Sequence, residues 1–91
     1  MPTSHLIIKG RVQGVFYRAT AKDMADELGI TGWVKNTVDG DVEITATGAE
    51  ERLQQFIEWC KMGPRKAIVT DVVVTKKDVE EKFKSFAVIR G

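Results

Sequence analysis

Apolar and polar positions change period several times along the chain, and each change marks an expected element. Leu6-Ile7-Ile8 is a short apolar run that stops at Gly10, the pattern of a buried strand over residues 5 to 10. Ala21, Met24, Ala25 and Leu28 then recur at i, i+3, i+4 and i+7, one face of a helix over about Tyr17 to Leu28. Gly29 follows where a left-handed residue ends a helix. Gly32 to Thr37 reads as a second strand from its aromatic and β-branched content. Asp39-Gly40 signals a hairpin, and Val42, Ile44 and Ala46 alternate with Glu43, Thr45 and Thr47 on the return strand. Thr47-Gly48-Ala49-Glu50 has capping-box spacing ahead of an acidic first turn, Glu50-Glu51. Leu53, Phe56, Ile57 and Cys60 mark the buried side of a second helix, stopped by Gly63-Pro64. Ile68 to Thr75, rich in valine, reads as a strand, and Lys76 to Lys82 as a polar connection. Phe83 to Arg90 closes the pattern as a last strand, with Phe86, Val88 and Ile89 contributing to packing.

The order is β-α-β-β-α-β with an extra C-terminal strand. Each helix has one apolar face to cover, and one face of a sheet can receive both. The expected fold class is therefore α+β, a two-layer ferredoxin-like sandwich with two helices on one face of a mainly antiparallel sheet. Its 91 residues suit one domain, 1–91, with a single core.

Composition narrows the chemistry. At 43% hydrophobic and 30% charged residues the chain is globular rather than disordered. Fourteen Lys and Arg against thirteen Asp and Glu leave a formal charge of +1, which offers no footprint for duplex nucleic acid. No apolar run approaches the roughly 18 residues of a membrane span. Met1 to Gly10 lacks the h-region and cleavage site of a secretory signal. A cytoplasmic protein is expected, with no nucleic-acid or membrane partner. A chain of this size can fold alone, so a monomer is the expected state. Cys60 is the sole cysteine and His5 the sole histidine, which rules out an internal disulfide and argues against a metal site.

One stretch carries candidate chemistry: Gly10-Arg11-Val12-Gln13-Gly14-Val15-Phe16-Tyr17-Arg18, where a strand becomes a helix. Gly10 and Gly14 let the backbone turn sharply and approach a ligand closely. A curled loop can aim successive N–H groups inward as an anion nest, and the following helix adds unpaired N–H groups and a positive dipole end. Arg18 adds a planar cationic fork that matches two oxygens of a phosphate or carboxylate. Taken alone, the stretch serves equally well as a tight strand-to-helix turn with an exposed arginine. Other residues have plain readings. His5 reads as a solvated or strand-edge residue and Cys60 as a buried small hydrophobe. Trp33 and Trp59 read as packing residues, and Lys61, Arg65 and Lys66 favour the second helix's dipole. Glu80, Glu81 and Lys82 read as a solvated loop.

Beside the first loop stands Gly32-Trp33-Val34-Lys35-Asn36, followed by Gly40, Val42 and Gly48. Here the sequence resembles the acylphosphatase family. Ile8 through Arg18 is similar to one family signature, and Gly32 through Gly48 to a second, G-aromatic-V-K/R-N-x3-G-x-V-x5-G. The resemblance covers essentially the whole chain. Tyr17 departs from it, since the family more usually has Phe there, and a buried tyrosine hydroxyl needs a partner.

The resemblance implies hydrolysis of acyl phosphates to a carboxylate and inorganic phosphate, with no metal and no cofactor. It implies that the backbone of Arg11, Val12, Gln13, Gly14, Val15 and Phe16 cradles the phosphoryl group. It also implies that Arg18 binds its oxygens and that Asn36 positions the attacking water. The chemistry is coherent. The leaving carboxylate has a conjugate acid of pKa roughly 4, so it departs as an anion without a general acid. Asn36 cannot act as a base but can orient water.

Alternatives of other classes stay open. One is a carbamoyl-phosphate-processing module of the kind found in large hydrogenase-maturation proteins. Others are a non-catalytic anion-binding domain and an RNA-binding ferredoxin-like domain. The RNA reading lacks its aromatic signature string, and Leu6-Ile7-Ile8 offers no ring for stacking. A last expectation is that the Gly91 carboxylate folds back to pair with Arg18 when substrate is absent.

Overall fold

Five strands and two helices make up the computed structural model of the chain, which describes residues 1–78 and 81–90. They are β1 (Thr3–Arg11), α1 (Tyr17–Leu28), β2 (Thr31–Asn36), β3 (Val42–Thr47), α2 (Glu50–Met62), β4 (Ile68–Lys76) and β5 (Phe86–Ile89). The strands form one sheet in the order β4-β1-β3-β2-β5. β1 pairs antiparallel with β3 and β4, and β2 pairs antiparallel with β3. β5 runs parallel to β2 on the outer edge. The β1-α1-β2 unit leaves a slot that β3 fills, and the β3-α2-β4 unit leaves a slot that β1 fills. The two crossovers are thus interleaved, and both helices lie on one face of the sheet, as the α+β two-layer expectation required.

The alternation of each strand explains which face the helices cover. Leu6 and Ile8 of β1, Val34 of β2, Ile44 and Ala46 of β3 and Phe86 of β5 are all buried. Opposite them lie Ala21 and Ala25 of α1 and Leu53, Phe56, Ile57 and Cys60 of α2. The alanines on α1 let that helix sit close to the sheet. One aromatic contact ties the layers together, Phe56 of α2 meeting Phe86 of β5 edge-on at 5.7 Å, and another joins the two helices, Trp59 lying 5.4 Å from the Tyr17 ring.

The hydroxyl that sets Tyr17 apart has a defined place. It donates a 2.7 Å hydrogen bond to the carbonyl of Cys60 in the last turn of α2. Carbonyls there have no partner within the helix, so the first residue of α1 satisfies the end of α2. Burial first, then its proximity to Cys60, pushes the phenol well above its ordinary value. Burial also raises the Cys60 thiol to about 12, so neither group offers a nucleophile at neutral pH. Tyr17→Phe should lower the unfolding free energy by about 1–2 kcal/mol, because the carbonyl would lose its buried donor. The check is a lower urea midpoint with an unchanged m-value.

The structure differs from the sequence reading in four places. β1 and β4 are longer than expected, because each finds a full partner in the other. Thr47 is not a cap: the residue before α2 is Ala49, with no side-chain bond to the helix. The Thr47 hydroxyl instead meets Thr3 Oγ1 at 2.6 Å and donates to the Glu81 carbonyl at 3.1 Å. Thr3 and Thr47 thereby anchor the Glu81 backbone, while Glu81 and Lys82 keep exposed side chains; Glu80 lies outside the described residues. The last strand begins at Phe86 rather than Phe83. Finally, His5 sits within β1 between β3 and β4, and its Nε2 lies 2.7 Å from Glu43 Oε2. It is not on a sheet edge, and its side chain is partly exposed rather than fully solvated.

Candidate active site

The loop between β1 and α1 is shaped at both ends by backbone that few residues adopt. A register shift between Lys9 and Gly10 opens the strand where it meets β4. A Cβ at Gly10, where φ is +124°, would fall 2.1 Å from the Ile68 carbonyl oxygen, so no side chain fits. Gly14 has open space around it, yet its φ of +74° favours glycine on conformation alone. Val12 is buried and plugs the loop into the core. Gln13 spends its side-chain amide on the neighbouring turn, donating 2.8 Å hydrogen bonds to the carbonyls of Thr37 and Asp41. The loop is therefore tied to the β2–β3 connection, directly after Asn36.

The helix that follows begins without protein compensation for its dipole. Phe16 occupies the cap position in a left-handed conformation, φ 63° and ψ 24°, with no side-chain cap bond and no acidic residue in the first turn. Its unpaired N–H groups and positive end face a cleft of about 360 Å³. Val12, Gly14 and Phe16 form the loop side of that cleft, and Arg18 enters from the first turn of α1. Asn36, at the end of β2, lies on the same strand face as buried Val34 and so points toward the helix layer. β5 completes the cleft with Val88 and Arg90.

Two features of the cleft stand out electrostatically. Arg18 Nη1 donates a 3.0 Å hydrogen bond to the Ile89 carbonyl. That contact holds the guanidinium in place while leaving most of its five donors for a ligand. Asn36 Oδ1 is buried and accepts no hydrogen bond from any described residue. A buried polar acceptor without a partner costs free energy, and such an atom in a folded protein calls for an explanation, a catalytic role or a bound water among them. Two guanidinium groups border the cleft and none of its described lining residues is acidic, which favours an anion.

Of the residues expected from sequence, Val12, Gly14, Phe16, Arg18 and Asn36 come together in this cleft. The side chains of Arg11, Gln13 and Val15 do not line it. Arg11 ends β1 opposite Ile68, Gln13 is the clamp just described, and Val15 packs against the core. The proposed contact between Gly91 and Arg18 lies outside the described residues. Sequence reasoning missed Val88 and Arg90, which reach the site only because β5 pairs in parallel with β2. It also missed the clamp made by Gln13. Lys22 and Arg18, four residues apart on α1, both donate to β5, through the carbonyls of Phe86 (2.9 Å) and Ile89. That spacing is the one local hint of where β5 docks.

This combination defines a small ferredoxin-like α+β protein with an arginine-bordered cleft at a strand–loop–helix junction. Comparison with known proteins gives the family: the acylphosphatase model matches residues 4–88, and the chain belongs to the acylphosphatase family. It is 47% identical over 90 residues to an acylphosphatase of Methylococcus capsulatus, covering 99% of this chain and 98% of that one. The crystal structure of acylphosphatase from Bacillus subtilis superposes with a TM-score of 0.95 at 41% identity, covering 99% of this chain and all of that one. An acylphosphatase from Coxiella burnetii superposes at 0.92 with 39% identity, covering 97% and 92%. Membership supports an enzyme that hydrolyses acyl phosphates.

Proposed function

We propose that the chain hydrolyses the carboxyl-phosphate bond by direct attack of water on phosphorus, without metal or cofactor. The observation that carries this reading is that an anchored arginine and Asn36, whose buried amide oxygen has no described partner, line one cleft. The loop backbone from Arg11 to Phe16 and the start of α1 hold the phosphoryl oxygens, as helix N-termini and nests do. Arg18 takes two of those oxygens with its fork and offsets the charge that gathers on them. The Asn36 side-chain amide hydrogen-bonds the attacking water and so fixes its position. As the water oxygen bonds to phosphorus, the bond from phosphorus to the acyl oxygen breaks. The carboxylate leaves with the electron pair, and the water's proton passes to a phosphoryl oxygen. No described residue of the lining is Asp, Glu, His or Cys, and the reading assigns no general base. Placement and charge stabilisation are the protein's share, the usual division in phosphoryl transfer.

The test is phosphate release from acetyl phosphate, benzoyl phosphate and carbamoyl phosphate in the presence of EDTA. Catalysed release from the first two, unaffected by the chelator, supports the reading. Turnover confined to carbamoyl phosphate would favour a carbamoyl-phosphate-processing role. Saturable phosphate binding without any turnover would make the cleft an anion sensor.

A further inference from the structure

Phe16 is the one non-glycine residue among those described with a positive φ; the others in that region are all glycines. Its φ of 63° and ψ of 24° place a bulky side chain where glycine would be relaxed. Core packing does not offset that strain, because the residue remains 78% exposed. Nor does its side chain cap the helix it precedes. Strain of this kind persists where the surroundings enforce it, and it clusters at ligand-binding positions. Phe16 is among the residues that line the cleft with Arg18 and Asn36, and its side chain is largely exposed beside it.

The lining is divided by chemistry. Arg18, Asn36 and Arg90 supply polar groups, whereas Val12, Phe16 and Val88 supply an apolar wall. An acyl phosphate is divided in the same way, into an anionic phosphoryl group and an organic acyl group one oxygen away. A phosphoryl group held by the loop backbone puts the acyl group within reach of the side chain that this backbone carries. We propose that the Phe16 ring is the acyl-recognition surface of the cleft. On this proposal it favours acyl phosphates with an aromatic or extended apolar acyl group over acetyl phosphate. This rests on the acyl-phosphate reading above and names the substrate class within it.

The experiment compares kcat/KM for benzoyl phosphate and acetyl phosphate in wild type, Phe16→Ala, Phe16→Gly and Phe16→Tyr. Phe16→Ala should lower the benzoyl-to-acetyl ratio by about 3- to 10-fold, the scale of one aromatic contact, mainly through a higher KM for benzoyl phosphate. Phe16→Tyr, which keeps the ring, should hold the wild-type ratio. Phe16→Gly relieves the backbone strain, so it tests the ring in a relaxed loop and should lose the ratio as Ala does. Damage to the loop lowers both substrates together and cancels in the ratio. A ratio unchanged in both Ala and Gly variants would overturn the proposal while leaving acyl-phosphate hydrolysis intact. Failure of wild type to hydrolyse either substrate would instead overturn the underlying reading.

Discussion

Arg18→Ala is expected to lower kcat/KM for acyl phosphates by at least about 100- to 1,000-fold, the usual loss when a positioned transition-state donor is removed. Both binding and charge stabilisation go with the guanidinium, so the inhibition constant of inorganic phosphate should rise as kcat falls. Arg18→Lys should recover little. An ammonium keeps the charge but cannot present the planar fork while also holding the Ile89 carbonyl, which Arg18 contacts at 3.0 Å. Steady-state kinetics with phosphate inhibition measures both effects, and circular dichroism checks that the variants remain folded. A folded Arg18→Ala enzyme with wild-type turnover would sink the assignment.

Asn36→Ala should cost a similar factor, about 100- to 1,000-fold, but with a different signature. The side-chain amide is proposed to contact water rather than the phosphoryl group, so kcat should fall while phosphate inhibition stays near the wild-type value. Stability gives a second contrast. Asn36 Oδ1 has no described hydrogen-bond partner to lose, so its removal should leave the urea midpoint unchanged or slightly raised. A variant that lost stability and activity together would assign Asn36 to the fold instead of the reaction.

These residues were legible in the sequence to different degrees, for physical reasons. α1 was plain because Ala21, Ala25 and Leu28 repeat at the helical period and Gly29 ends it with φ +71°. The β2–β3 hairpin was plain because Asp39-Gly40 separates two alternating runs. Thr47 was misread because capping spacing is local, whereas its hydroxyl is claimed by Thr3, 44 positions away. The strand-edge reading of His5 failed for a related reason: nothing near it in sequence announces Glu43 or the pairing of β1 on both sides. Phe83 looked like the start of the last strand, but the ladder with β2 starts at the pairing of Gly32 with Phe86. For the site, glycine spacing and a nearby arginine suggested an anion loop, although a plain turn explained them equally well. Asn36 carried no local signal and stood out only through its family motif. Arg90 could not be found from sequence, since its position depends on a parallel pairing that no neighbouring residue encodes.

The anchoring of Arg18 also has a consequence in time. The arginine and the carbonyl that orients it are 71 positions apart, and the Phe86 ring that closes the core comes from the same final strand. During synthesis the anion loop and α1 emerge first and Asn36 soon after, long before β5 exists. A partly made chain thus carries the charged groups of the cleft without the strand that sets their geometry. The last strand both completes the packing and aligns the guanidinium, so the finished fold and the competent cleft arrive together.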